Sequence, residues 1–155
     1  MQTRSLADDN LFSGLRVNNE SFLAVKTVFF TVDTPVDHHS KTGKLSFTNV
    51  VTNEGDGYNV TSGNFTVSIP GIYHVSLTVD ANSQTTPSSQ HDQCAIKKNG
   101  SDVLTLNTHA GTVSSSSAYV KTVAGDVLTV YCDGGVKYID SGSSTVFSGA
   151  LVMKM

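Results

Sequence analysis

The chain has 155 residues and a mass of 16.4 kDa, with 10 basic and 13 acidic side chains and a formal net charge of −3. That length suits one domain, and the mildly acidic balance gives no electrostatic reason to expect a nucleic-acid or anionic-membrane partner. Hydrophobic residues make up 38% and charged residues 15%, which suits a packed core and argues against long disorder. No apolar run reaches the ~18–20 residues of a membrane span, because Lys26 interrupts the best candidate, Phe22 to Phe30.

The composition favours strands: 20 Val and 18 Thr suit pleated, half-buried surfaces, and 20 Ser and 13 Gly supply turns. Residues 1–24 read as an N-terminal leader or linker, in which Ser5 to Phe12 could cap a short helix. No apolar signal-peptide stretch stands at Met1 to Arg4. From Val25 the signals are those of strands, so residues 25–155 are expected to form the globular domain. Lys26 to Asp33 is rich in β-formers and leads into a polar loop, Thr34 to Lys44. Leu45 to Val51 resumes strand character before the turn-rich stretch Asn53 to Gly57, then Tyr58 to Val60, Gly63, and Phe65 to Ile69. Tyr73, Val75, Leu77 and Val79 alternate with His74, Ser76 and Thr78, the period of a strand with one buried face.

A polar loop is expected over Asp80 to Asp92. Cys94 to Lys98 and Val103 to Leu106 flank Asn99-Gly100, a hairpin signal because both residues tolerate positive φ. The strand Ala118 to Val123 follows, then the turn Ala124-Gly125-Asp126 and the strand Val127 to Cys132. The loop Asp133 to Ser144 precedes a terminal strand, Val146 to Met155. About nine or ten strands with no helix between them predict an all-β antiparallel sandwich of two sheets. The terminal strand places Phe147, Gly149, Leu151 and Met153 on one face and Ser148, Ala150 and Val152 on the other, with no charge until Lys154. A strand without a charged face is expected to be covered on both sides, and here the second cover would be another subunit.

Phe47, Asn53, Tyr58, Phe65, Gly71 and Tyr73 stand at a specific spacing: aromatic, Asn or Asp, aromatic, Phe, then Gly-x-Tyr. This segment, Phe47 to Leu77, resembles the complement C1q globular-domain family, which shares the jelly-roll fold of tumour necrosis factor. The family pattern expects aromatics where Val75 and Leu77 stand, a departure that keeps an apolar inward face. Phe29-Phe30, the run Val123 to Val127 containing Gly125, and Thr145 to Leu151 containing Phe147 and Gly149 extend the resemblance over residues 26–155. It is strongest to the short C1q-domain proteins of bivalve molluscs. Phe47, Phe65, Tyr73 and Phe147 are expected to fill the gap between sheets, and Gly71 after Pro70 to sit in a turn that a Cβ would strain.

The resemblance implies a C1q/TNF-like jelly roll of about ten strands. It further implies a secreted, non-catalytic homotrimer that binds glycans or microbial surface polysaccharides. Four Asn-x-Ser/Thr sequons, at Asn19, Asn59, Asn64 and Asn99, would permit glycosylation in a secretory pathway. Two other readings stand beside it: an extracellular calcium- or metal-handling, mineral-associated protein, and a receptor ligand of the tumour necrosis factor or cerebellin type. Cys94 and Cys132 share strand parity with core residues, and the implied strand order makes their strands neighbours. They form either a disulfide or two buried thiols.

Candidate sites are sparse. Lys137, Tyr138 and Asp140, before the last strand, combine an aromatic platform with hydrogen-bonding groups that suit a sugar ring. Asp37, His38 and His39 form a metal-like cluster, yet adjacent residues of an extended chain point to opposite sides. His91-Asp92 stands in another polar loop and is discounted in the same way. Calcium needs a cage of oxygens; Asn53 to Asn64 opens like a calcium loop but has Asn64 where the closing Glu belongs. Family members that hold axial calcium use acidic residues before the Ala118 strand, and the loop expected here, Asn107 to Val113, has no carboxylate. No cofactor is required. Ile139-Asp140-Ser141-Gly142 imitates an aspartic-protease turn, but only 13 residues follow Gly142, too few for the sheet such an enzyme needs. No nucleophile elbow, zinc helix or phosphate loop is present. The chain is not expected to be an enzyme.

Overall fold

The computed structural model describes residues 27–36, 43–81, 91–109, 111–133, 139 and 142–155. Ten strands run in chain order: β1 Phe29–Val36, β2 Gly43–Glu54, β3 Tyr58–Asn59, β4 Asn64–Thr66, β5 Gly71–Ala81, β6 His91–Lys98, β7 Ser101–His109, β8 Thr112–Thr122, β9 Val127–Asp133 and β10 Val146–Lys154. All pairings are antiparallel. The first sheet has the order β2–β1–β10–β5–β8. In the second, β9 pairs with β6 on one side and with β4 and the start of β2 on the other; β7 and β3 extend its edges. Strand β2 therefore serves both sheets, with Gly43 to Leu45 on β9 and Ser46 to Glu54 on β1.

The alternation read from Tyr73 to Val79 extends over all of β5, where every second residue from Gly71 to Ala81 is buried. Phe47, Phe65, Tyr73 and Phe147 are fully buried between the sheets, as expected, and Phe30 joins them. The Phe30 ring stacks on Phe65 at 4.3 Å between centroids and meets Phe147 edge-on at 4.8 Å. Asn53 clamps the turn that follows it: its Nδ2 donates to Tyr58 O and its Oδ1 accepts Tyr58 N–H, both at 2.9 Å. The Tyr58 hydroxyl then takes both backbone groups of Phe47, accepting from N–H at 3.0 Å and donating to O at 3.2 Å. Burial pushes the Tyr58 hydroxyl above the usual phenol range, so it stays protonated and keeps donating. Asn99 and Gly100 join β6 to β7 with φ of 50° and 86°, the left-handed pair that a tight hairpin turn needs.

Several boundaries differ from the sequence reading. Strand β1 runs on through Pro35 to Val36 instead of yielding to a loop at Thr34. Side chains hold it there: Asn49 Nδ2 donates to Asp33 Oδ1, and Thr48 Oγ1 donates to Thr34 O. The expected loop Asp80 to Asp92 gives up residues at both ends: Asp80 and Ala81 belong to β5, and His91 and Asp92 to β6. The expected loop Asn107 to Val113 is largely strand: Asn107 to His109 end β7, and Thr112 and Val113 begin β8. The Thr112 hydroxyl ties the two strand ends together, donating to His109 O at 2.7 Å and accepting His109 N–H at 3.2 Å. In β10, a register shift between Leu151 and Met153 ends the inward alternation, so Met153 is exposed although Phe147 and Gly149 are buried.

Gly71 also has a different reason. It opens β5 rather than a turn, and a Cβ there would lie 2.2 Å from Met153 O. A Cβ on Gly149 would lie 2.6 Å from the Phe30 ring. Cys94 and Cys132 face each other in register across β6 and β9 and are joined by a disulfide.

Two outcomes follow for stability. Gly71→Ala and Gly149→Ala are each expected to cost about 1–3 kcal/mol in denaturant unfolding, because the colliding atoms are backbone and a core ring. Removing the disulfide with Cys94→Ala and Cys132→Ala is expected to cost ~3–4 kcal/mol by loop entropy, read as a lower denaturation midpoint.

Candidate functional site

The outer face of the first sheet is organised in rows that no single strand reveals. Because residues 71, 73, 75, 77 and 79 of β5 point inward, His74, Ser76 and Thr78 point out. Register then aligns Glu54, Phe29, Ala150, His74 and Tyr119 in one row across five strands. The next row is Thr52, Thr31, Ser148, Ser76 and Ser117, five hydroxyls side by side. The third is Asn49, Asp33, Val146, Thr78 and Ser115. Within the hydroxyl rows, Ser76 Oγ and Ser148 Oγ are 2.7 Å apart, and Thr78 Oγ1 and Ser115 Oγ are 2.9 Å apart.

The aromatic row is open. Phe29 is 41% exposed and Tyr119 73% exposed, with the His74 ring 5.0 Å from that of Tyr119. Between Phe29 and His74 stands Ala150, and its small side chain leaves a dent. The dent has a volume of about 140 Å³ and is lined by Phe29, Phe30, Thr31, His74, Ser148, Gly149 and Ala150. Val152 and Met153 continue the apolar surface toward the end of β10. The second sheet contrasts with it. Lys97 Nζ lies 2.5 Å from Asp102 Oδ1 and 5.3 Å from the Tyr131 ring centroid, an arrangement that water screens and tolerates.

The ionisable groups at the turns are structural. Asp126 is buried, and its Oδ2 accepts Val123 N–H at 2.9 Å while its Oδ1 accepts Asn99 Nδ2 at 2.7 Å. Lys98 Nζ is 3.6 Å away and also donates to Lys121 O. Asn99 completes the junction, since its Oδ1 accepts Val127 N–H. The backbone bond from Val123, and then the bond from Asn99, hold the Asp126 carboxyl below the usual carboxylate range. Its acceptor sites are used internally, and no ligand role follows.

The sequence candidates for binding fall largely outside what the structure describes. Lys137, Tyr138 and Asp140 lie outside the described residues, as do Asp37, His38, His39 and Asn19. His91 and Asp92 are the first residues of β6, not part of a loop. Among the described residues no group of three His, Cys, Asp or Glu side chains could hold a metal ion. Also among them, no helix is long and apolar enough to cross a membrane. The rows of the first sheet were missed from sequence. The lack of charge on β10 before Lys154 was their one local sign.

The model of the C1q domain matches residues 28–152. A search of curated proteins returns no match. Among solved structures, the globular domain of zebrafish complement 1qA protein superposes with a TM-score of 0.64 at 18% identity, covering 83% of this chain and 99% of that one. Murine APRIL at pH 5.0 gives a TM-score of 0.66 at 15% identity, covering 82% and 100%. Rabbit GITRL gives 0.54 at 11% identity, covering 83% and 96%. Identities this low speak for the fold alone.

Acid should weaken the turn junction in a predictable direction. Asp126's contribution is fully present above the usual carboxylate pKa of about 4 and fades as pH falls through its lowered folded value. Asp126→Ala is expected to lose about 2–3 kcal/mol at neutral pH. Below that pH range the variant and the parent should converge, as read in urea midpoints.

Proposed function

Since the chain belongs to the C1q-domain family, a non-enzymatic fold, we propose that it is a secreted recognition protein. It acts as a homotrimer and binds glycans of microbial surfaces. The observation that carries the oligomer is the pair of exposed aromatics, Phe29 and Tyr119, on the outer face of the first sheet, beside the uncharged stretch of β10 from Val146 to Met153. A contact between unlike patches closes into a ring when the rotation per subunit is one third of a turn. Tyr119 of one copy, the most exposed aromatic beside the dent, seats over Ala150 of the next. Burying an aromatic side chain on an apolar floor is the kind of contact that dominates interface energies.

Recognition then falls to the loops, which vary freely while the sheets hold them. Lys137, Tyr138 and Asp140 are the side chains we assign to the glycan: the ring for stacking, the charged groups for sugar hydroxyls. Each site binds weakly, and three copies on one repetitive surface gain avidity. Secretion agrees with the disulfide between Cys94 and Cys132, which persists in oxidising compartments. The likeness to murine APRIL and rabbit GITRL keeps a receptor-ligand role as the second reading.

Sedimentation equilibrium at micromolar concentration should give three times 16.4 kDa, and Ala150→Arg should give a folded monomer, because a charge would then sit in the dent. A monomeric parent protein would reject the trimer. A glycan and polysaccharide array, run with calcium and with EDTA, tests recognition. Saturable binding lost in Tyr138→Ala supports the assignment. A blank array in both conditions turns the reading to a protein receptor or, if zinc or calcium titrates by calorimetry, to metal handling.

A further inference from the structure

Three sequons lie among the described residues, and their asparagines differ in what their side chains do. Asn99 is committed at both ends: Nδ2 to the buried Asp126 carboxylate at 2.7 Å and Oδ1 to Val127 N–H at 2.9 Å. A sugar on that nitrogen would have to open the junction of two turns. Asn64 is half-buried at the start of β4, its Oδ1 accepts from Lys44 Nζ, and its neighbour Phe65 is fully buried. Asn59 is exposed, at the tip of the β3–β4 hairpin, with exposed Val60, Thr61 and Ser62 after it. Its Oδ1 accepts Ser62 N–H at 2.9 Å, which closes the turn and leaves Nδ2 facing outward for modification. Asn59 and Asn64 are direct cross-strand partners, so a sugar on one crowds the other.

We infer that Asn59 is the N-glycosylation site of the secreted, folded chain, in preference to Asn64 and Asn99. In the transfer, Asn59 Nδ2 attacks C1 of a lipid diphosphate-linked oligosaccharide supplied by the secretory membrane. The C1–N bond forms, the C1–O bond to the diphosphate breaks, and Nδ2 gives up one proton as the lipid diphosphate leaves. Transfer precedes folding, so folding does the sorting. Chains modified at Asn99 cannot close the Asp126 junction and are held back, whereas a glycan on Asn59 projects from an exposed turn. That turn belongs to the second sheet, so the sugar leaves the outer face of the first sheet free. The inference rests on the proposed extracellular location only for its biological setting.

The test is expression of the full chain behind a secretion signal in a eukaryotic host, with site occupancy mapped by peptide mass spectrometry after enzymatic deglycosylation in heavy-oxygen water. The expected result is high occupancy at Asn59, with Asn64 and Asn99 essentially unmodified. Thr61→Ala removes the sequon but keeps the Asn59 turn bond, so it should abolish the glycan and leave the unfolding midpoint within error of the unglycosylated parent. Asn59→Gln should abolish it too, with some loss of turn stability. Secreted, disulfide-bonded protein bare at Asn59 would overturn the inference, as would equal occupancy at Asn99. Neither outcome touches the trimer, which sedimentation of the same material reads separately.

Discussion

The contact on which both sheets depend is the stack of Phe30 against Phe65. Phe30 comes from the first sheet and Phe65 from the second, and their ring centroids are 4.3 Å apart. Two glycines make the slot. A Cβ on Gly149 would strike the Phe30 ring at 2.6 Å, and one on Gly57 would strike Phe65 at 2.4 Å. Close packing leaves no slack for either atom. The bare backbone of Gly149 does a second thing, since it also lines the dent on the outer face. Core and surface are thus coupled through one residue: the glycine that lets the sheets close also shapes the face through which copies would meet.

A second constraint is topological. Strand β2 leaves one sheet for the other near Phe47, and there its register partner is Pro35, which has no N–H to donate. The Tyr58 hydroxyl supplies what the ladder lacks by bonding both backbone groups of Phe47. Tyr58 in turn is placed by Asn53 through two bonds across four intervening positions. An unsatisfied backbone pair here would cost the full desolvation of buried polar groups. The aromatic-Asn-aromatic spacing therefore encodes a hydrogen-bond relay as well as a row of core rings.

Much of this was legible in the sequence, and the pattern of misses has a physical cause. Alternation marks a strand when its inward residues are apolar, as in β5, and the two cysteines declared themselves by the same parity. It fails where polar residues turn inward: Ser114 and Ser116 of β8 are half-buried, so the strand was read only from Ala118, whereas its eleven-position pairing with β5 begins at Thr112. Gly71 was recognisable as necessary, but its collision partner, Met153 O, lies 82 positions away. The rows of the outer face were hidden for the same reason. Ser76 and Ser148 are 72 residues apart, and nothing local aligns them. The loop candidates Lys137, Tyr138 and Asp140 were chosen for side-chain chemistry alone, because loops carry no periodicity from which placement could be argued.

The outer face divides its work between its two ends. Burying a hydroxyl without a partner is costly, yet Ser76 already bonds Ser148 and Thr78 already bonds Ser115 within one chain. Those rows lose little when a second copy covers them and gain little either. The aromatic row is different: Phe29, Tyr119 and the apolar end of β10 expose surface whose removal from water is favourable. Association would therefore be driven from one end of the sheet and merely permitted at the other. The exposed charges of this face, Glu54 and Lys121, stand on its edge strands β2 and β8, so in the middle of the face shape must set the register. The Ala150 dent, bounded by Phe29 and His74, is the feature on this face that supplies one.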